Sequence, residues 1–311
     1  MPSVNGVLII DKPAGITSHD VVARTRKIIG ERRVGHTGTL DPFATGVLVL
    51  LVGRATRIAQ FLSGAEKEYE GVVRLGYSTD TGDITGKRVE SSGSDILPSK
   101  AEVEASIASL RGEIEQLPPM YSAKRIAGRK LYEHARRGEE VAREPVHVSV
   151  HEFELLNNDA RFLANDDGSL DFSVRVVCSA GTYMRRLAED LGQKLGVGAH
   201  LVQLRRTRAG QFRLDSALTL ERLAEVFSQN QAVDPLISPH EALSDLPSID
   251  LDEDQLRRTL HGLDLPLEDN DLQLTNGDPV RLARDDELIA IGKFERERGV
   301  IHPAVVLGEE E

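Results

Sequence analysis

The chain holds a single cysteine and no tryptophan in 311 residues. Cys178 alone can neither close an internal disulfide nor anchor a thiolate-rich zinc site. Long apolar runs are missing too: the longest, Val47 to Val52, is strand-sized, far below the roughly 20 residues that cross a bilayer. No secretion signal opens the chain, because Asp11 and Lys12 follow the short run Val7 to Ile10. No segment repeats. These absences exclude a disulfide framework, a zinc finger and a helical membrane protein, and they predict a cytoplasmic protein. What is present, 40% hydrophobic and 28% charged residues, suits a packed core. The length predicts two domains at roughly 100–200 residues each.

A net charge of −12 argues at first against a polyanionic partner. It is unevenly placed. Residues 241–311 hold 19 acidic against 7 basic side chains and so carry the whole excess. The first 240 residues are balanced, yet residues 1–60 hold 8 basic against 4 acidic and residues 181–213 hold 7 against 2. Net charge governs solubility and long-range repulsion rather than the potential inside a groove. A neutral body with basic stretches remains compatible with nucleic acid.

Strand and helix patterns alternate along the chain, which predicts a mixed α+β protein. Val4 to Asp11 reads as a strand, followed by a helix from Ser18 to Ile29 with Ser18 as N-cap. Glu31 to Thr45 reads as a long polar loop feeding the strand Val47 to Val52, with a helix over about Thr56 to Leu62. In Glu68 to Tyr77, Tyr69, Gly71, Val73, Leu75 and Tyr77 share one strand face. Ser99 and Glu102 form a capping box for a helix reaching Leu110. Met120 to Lys130 is a basic loop before a short helix ending near Gly138. Val146 to Leu155 and Leu170 to Cys178 alternate as strands, joined by the turn Asn165 to Gly168. Thr182 is placed to cap a helix with the core face Met184, Leu187, Ala188, Leu191 and Leu195. His200 to Leu214 reads as two strands or a bent one, and Leu220 to Phe227 as a helix. The pattern divides the chain into 1–235, a proline-punctuated linker 236–248, and an acidic, strand-rich unit 249–311.

Two segments invite chemistry. Gly35-His-Thr-Gly-Thr-Leu-Asp-Pro-Phe-Ala-Thr-Gly46 concentrates three glycines and a proline ahead of an apolar strand, which holds Asp41 rigidly. It matches neither a dinucleotide fingerprint nor a phosphate-cradling Walker loop. Read alone, Asp41-Pro42 is also an ordinary turn. At the second segment, a strand-to-helix junction, Arg185 and Arg186 sit in a first helical turn, against the helix dipole. They either pair with Glu189 and Asp190 or face an anion. His147 and His151 share a strand face without further ligands, and the Asp80 and Asp83 spacing is not that of a calcium loop.

In order and spacing, four motifs resemble those of the bacterial TruB family, the tRNA pseudouridine-55 synthases. They are Asn5-Gly-Val-Leu-Ile-Ile-Asp-Lys-Pro13, the Asp41 loop, Lys67-Glu-Tyr69 and Gly181-Thr-Tyr-Met-Arg185. The likeness covers about residues 4–230. Farther on, Asn276-Gly-Asp-Pro-Val-Arg281 is similar to the family's small PUA-type RNA-binding domain. The resemblance implies a pseudouridine-synthase fold, a central mixed and largely antiparallel sheet flanked by helices, with a β-rich PUA-like domain after it. It implies isomerisation of a T-loop uridine in tRNA, with the target base flipped out of its stack.

Under the resemblance Asp41 is the catalytic carboxylate. It attacks the sugar C1′, supports elimination to a glycal, or adds to uracil C6. Arg185 pairs with it and is expected to lower its pKa. Tyr69 stacks on the uracil and assists proton removal, while Tyr183 and Leu204 line the base pocket. His36 enters the T-loop in place of the flipped bases. Lys12 lies beside the site in a structural or phosphate-facing role and Asp83 in the loop that approaches the site, and both are counted among the RNA-binding residues. The reaction transfers no electrons and hydrolyses nothing, so it implies no redox cofactor, metal or nucleotide. The insert Met120-Tyr-Ser-Ala-Lys-Arg-Ile-Ala-Gly-Arg-Lys-Leu-Tyr132 is TruB-like as well. It favours a stand-alone monomer acting on the tRNA T-stem-loop, with no membrane and no guide RNA, over a guide-dependent relative of dyskerin. A non-catalytic RNA-folding factor is a third reading, which the intact set Asp41, Tyr69 and Arg185 disfavours.

Overall fold

A computed structural model describes residues 4–89, 97–122, 124–126, 128–131, 134, 137–139, 141–156, 162–228, 235–267 and 273–308. Its centre is a sheet of ten strands. The main path runs Gly6–Lys12, Thr45–Val52, Ala199–Ala209, Lys67–Leu75, Leu170–Cys178, Val146–Leu155 and Gly112–Gln116. Every pairing along it is antiparallel except one. Thr45–Val52 meets Ala199–Ala209 in parallel through only two residue pairs, Arg205 with Thr45 and Arg206 with Gly46. The sheet is therefore mixed and largely antiparallel, as the sequence predicts.

The two halves of this sheet have different sequence patterns because different faces are covered. In Thr45–Val52, residues Val47, Val49 and Leu51 enter one apolar cluster while Leu48, Leu50 and Val52 enter another. Both faces are buried, so the strand reads as an unbroken apolar run. Lys67–Leu75 instead alternates. Tyr69, Val73 and Leu75 join a third cluster, which the Met184–Leu195 helix completes with Met184, Leu187, Ala188 and Leu191. Glu68 and Arg74, on its other face, form cross-strand ion pairs with Arg175 and Asp171.

Several local expectations are corrected. The cap of the Ser18–Ile29 helix is Thr17, in a reciprocal capping box with Asp20. Thr182 bonds back to the Ser179 carbonyl instead of capping, and Tyr183 is the N-cap of Met184–Leu195 with no side-chain bond to it. The loop 31–45 contains a short strand, Val34–His36, paired with Thr45–Val52. The helix expected over about 56–62 begins as a 3-10 turn, Gly53–Ile58, before Ala59–Ser63. The turn at 165–168 joins Leu163–Ala164, not Val146–Leu155, to Leu170–Cys178. By contrast, Ser99 and Glu102 form the expected capping box. Much of the 120–138 insert and its short helix lies outside the described residues, which there pair Arg125–Ile126 with Arg129–Lys130.

The C-terminal sheet has five strands in the order Ser248–Asp250, Pro279–Arg284, Glu287–Glu295, Val300–Val306 and Leu265–Pro266. The stretch before it is built into the core. Ile237 exchanges backbone bonds of 2.8 and 2.9 Å with Val7. Ala242 and Leu243 are buried in one cluster with Val7 and Ile9 of the central sheet and Leu288, Ile291 and Leu307 of the C-terminal one.

Candidate active site

The short parallel junction is where the Asp41 loop enters the sheet. Gly46, at φ +100°, lies so close to Arg206 that a Cβ would stand 2.2 Å from the Arg206 carbonyl oxygen. Only glycine fits. Two side chains pin the loop from below. Ser18 Oγ accepts from the Leu40 N–H at 2.9 Å and donates to the Leu40 carbonyl at 3.1 Å. Lys12, fully buried, donates from Nζ to the carbonyls of Pro13, Pro42 and Ala44 at 2.9, 3.2 and 2.7 Å. Those three bonds use every N–H of an ammonium. Burial pulls its pKa down to about 8, which still leaves it charged at neutral pH. Lys12 thus holds loop backbone, the structural one of the two roles expected for it.

Arg185 reaches Asp41 from the first turn of the Met184–Leu195 helix. Its Nε donates to Oδ2 at 2.8 Å and its Nη2 to Oδ1 at 3.1 Å. This two-point fork suits guanidinium and carboxylate. Nη1 also donates to the Thr81 carbonyl at 2.9 Å, and Nη2 to that of Tyr121 at 2.7 Å. The neighbouring Arg186 does the alternative, pairing with Asp190 on its own helix at 2.7 Å. One arginine of the pair faces an anion and the other decorates the helix.

Asp83 is buried beside the site. Its Oδ1 accepts from Thr81 Oγ1 and the Thr85 N–H, both at 2.9 Å. Its Oδ2 lies 3.9 Å from Arg185 Nε. The carboxylate shapes its own turn and gives Arg185 a second counter-charge.

Asp41, Arg185, Tyr69, Leu204 and Tyr183 line one pocket of about 250 Å³. The structure therefore brings together five of the eight residues proposed from the sequence. His36 does not line it. It ends the Val34–His36 strand, edge-on to His19 at 5.5 Å and one residue before the pocket-lining Thr37.

Besides Arg185 the pocket is lined by Lys67, Lys124 and Arg206, none of which the sequence reading gave a role; two of them are buried. Arg206, buried, donates to the carbonyls of Val47 at 2.7 Å and Gly38 at 3.1 Å. Lys67, also buried, bonds the Ser63 carbonyl at 2.7 Å. A signal for both existed. Lys67 stands two residues before Tyr69 and Arg206 two after Leu204, and period-two spacing puts each pair on one strand face.

Burial sets the titration of these groups. It raises the Asp41 carboxyl above its ordinary range, and Arg185 opposes that shift without reversing it. The expected net lowering by Arg185 is thereby corrected: the cation is present, but desolvation outweighs it. Burial also raises the phenols of Tyr69 and Tyr183, and it lowers Lys67 to about 8. Among the described residues, no group of three or more His, Cys, Asp or Glu is placed to hold a metal ion.

The family model for the N-terminal domain of TruB family pseudouridylate synthases matches residues 26–184. That for the tRNA pseudouridylate synthase B C-terminal domain matches 185–268. The chain is also 43% identical to a tRNA pseudouridine synthase B of Bacillus cytotoxicus, across 98% of this chain and 97% of that one. The chain belongs to the TruB family. A second TruB relative, tRNA pseudouridine synthase B of Geobacillus thermodenitrificans, is 45% identical over 83% of this chain and 85% of its own length.

Among solved structures, the chain is similar to one in a Cbf5-Nop10-Gar1 complex, with TM-score 0.73 and 28% identity over 97% of this chain and 85% of that one. It is also similar to one in an H/ACA RNP bound to a substrate RNA containing 2′-deoxyuridine, with TM-score 0.71 and 27% identity over 98% and 85%. As in the sequence-based expectation, the TruB fold here is the mixed sheet with flanking helices, and the family's activity is that of an isomerase.

Proposed function

We propose that this chain converts uridine 55 in the T-loop of tRNA to pseudouridine, with Asp41 as the catalytic carboxylate. The reaction breaks the N1–C1′ bond, turns the uracil and joins C5 to C1′ before the C5 proton leaves. Asp41 acts by attack at C1′, by supporting glycal formation or by addition to C6. The observation that carries this reading is the Arg185 fork on a pocket-lining carboxylate beside Tyr69. A carboxylate held at two points and bordered by a stacking surface is suited to sugar chemistry on a flipped base.

Tyr69 stacks on the uracil and Leu204 and Tyr183 border it. His36, at the rim, replaces the extruded bases in the loop. Residues 1–235 form the catalytic unit and 249–311 the small C-terminal one. The protein works as a monomer in the cytoplasm, without a guide RNA. Its higher identity to tRNA pseudouridine synthase B, 43%, than to the chain of an H/ACA RNP, 27%, supports action without a guide RNA.

The test is incubation of the purified chain with an unmodified tRNA transcript and no other protein or RNA, followed by pseudouridine mapping at nucleotide resolution. A single conversion in the T-loop is expected. No conversion, or conversion only with an added guide, overturns the reading.

A further inference from the structure

Many arginines of this chain are consumed inside the fold. Arg74 forks onto Asp171 at 2.7 and 2.8 Å. Arg175 binds Glu68 and Glu152, Arg205 binds Asp11, and Arg208 binds Glu66. Arg185 and Arg206 are buried at the site. The basic stretch 181–213 therefore offers a polyanion much less charge than its composition suggests.

Residues 24–33 are different. Arg24, Arg26, Lys27, Arg32 and Arg33 are all exposed. Glu31 is the one acid among them, and it stands 3.9 Å from Arg33, whose side chain is 62% exposed. Arg24 lies in the longer-range field of Asp20, and among the described residues it has no carboxylate at ion-pair distance. Among the described residues, no carboxylate lies at ion-pair distance from Lys27 or Arg32. Arg26 is committed to the fold, donating from Nη2 to the Val34 carbonyl at 2.7 Å. Lys27, in the last turn, complements the helix dipole and still presents its ammonium to solvent. The dipole does not account for Arg24, nor for Arg32 and Arg33 beyond the cap at Gly30.

Placement relative to the pocket gives the cluster a partner. The helix that carries Arg24 and Lys27 begins at Ser18, which is bonded to Leu40 of the pocket wall. Twelve residues of helix extend about 18 Å from that point. The chain then turns through Arg32 and Arg33 and returns to the pocket at Thr37 and Gly38. A loop nucleotide seated in the pocket continues into paired strands, whose phosphates are the polyanion that a basic cluster on chain leaving and rejoining the pocket wall is suited to meet.

We infer that Arg24, Lys27, Arg32 and Arg33 form a phosphate-binding surface for the RNA duplex that carries the target loop. The inference rests on the tRNA reading above and names its second contact area. The surface positions the duplex by charge and reads no sequence.

The test uses the full chain with Arg24, Lys27 and Arg32 changed together to Gln; all three are exposed, so the fold is expected to persist. Affinity for an unmodified tRNA transcript and for its isolated T-arm hairpin is measured against salt, and single-turnover conversion at saturating RNA is measured alongside. The variant is expected to bind both RNAs more weakly at low salt. Its slope of log affinity against log salt should be shallower by about 0.7–0.9 per lost contact, hence by about 2–3 in all. The saturated conversion rate should match the parent. A control with exposed Lys194 and Lys293 changed to Gln should keep the parent slope.

An unchanged slope in the triple variant overturns the inference. So does a defect confined to full-length tRNA, which would place these cations on another arm. If the parent chain itself converts no tRNA uridine, the reading beneath fails instead, and the binding slopes report that separately.

Discussion

Arg185 spends two N–H groups on Asp41 and two on the carbonyls of Thr81 and Tyr121. Its geometry is therefore fixed from several directions, while among the described residues the Asp41 carboxylate is hydrogen-bonded by Arg185 alone. Asp41→Asn keeps the shape and removes the carboxylate. It is expected to leave tRNA affinity within a few-fold and to reduce conversion by at least about 10³, the scale of a lost nucleophile or base. Single-turnover assays with saturating tRNA check this, and substantial turnover would place the catalytic carboxylate elsewhere.

Asp83 supplies a second residue-scale prediction. Its charge helps to raise the Asp41 pKa. Lys12 and Arg185 are the cations acting on Asp41 from the other elements, and His200 faces Asp83. In Asp83→Asn the Oδ1 acceptor for Thr81 and Thr85 is retained and the charge is lost. On the proposed mechanism Asp41 acts as the carboxylate, so activity falls as pH drops through its pKa. Removing a like charge lowers that pKa, so the acid limb of the rate profile should move to lower pH. A limb that stays put, or moves upward, would show that Asp83 does not act on Asp41 electrostatically.

Tyr69 separates stacking from hydroxyl chemistry. Tyr69→Phe keeps a stack worth about 1–3 kcal/mol per base, whereas Tyr69→Leu loses it. Phe should bind tRNA well and convert it slowly, and Leu should fail at both. Equal rates for Phe and the parent would remove the hydroxyl from the mechanism.

At the scale of elements, the pins under the Asp41 loop are the parts least visible in sequence. Ser18 precedes a helix and resembles a cap, but Thr17 takes that role with Asp20, which frees the Ser18 hydroxyl for Leu40. Capping preference cannot choose between adjacent Ser and Thr; the three-dimensional approach of Leu40 does. Lys12 is a similar case, because lysines are rarely fully buried and two of the three carbonyls that hold this one, those of Pro42 and Ala44, come from a loop 30 or more residues away. What was legible came from periodicity. The continuous run at Val47 to Val52 reflects two covered faces, and the alternation at Lys67–Leu75 reflects one. Asp41 and Arg185 stood out because each broke a local rule, a glycine-crowded loop in one case and a cation against a helix dipole in the other. Their contact across 144 residues came from family resemblance, not from spacing.

Lys12→Met tests the loop support. The change is nearly volume-conserving but leaves the carbonyls of Pro42 and Ala44 without their donor. A cost of about 1–3 kcal/mol per unsatisfied buried group is expected in stability. Conversion should fall while tRNA affinity is kept, since Lys12 touches the loop and not the solvent. Denaturant melts and single-turnover rates check both parts; a variant as stable and as fast as the parent would mean that the loop holds its shape unaided.

At the scale of the whole molecule, the 236–248 stretch that composition reads as a linker behaves as a seam. Its prolines punctuate the sequence, but Ile237 pairs with Val7, and Ala242 and Leu243 fill the space between the two sheets. Arg54 closes the seam from the other side, donating to the Leu307 carbonyl at 2.8 Å, and Arg57 donates to that of Val306 at 2.5 Å. Ending the chain after Asp245 removes Leu288, Ile291 and Leu307 from a cluster that also buries Val7, Ile9 and Ile58. Burying a large aliphatic side chain stabilises a fold by about 1.5–3 kcal/mol, so losing three is comparable with the 5–15 kcal/mol of an ordinary domain. The truncated chain should melt far below the full one or fail to fold, although it sheds most of the net negative charge and the repulsion that goes with it. Thermal melts of the two chains at matched salt decide the matter. Equal midpoints would show that the central sheet is stable without its C-terminal partner, and that the shared cluster is a contact between two independent domains.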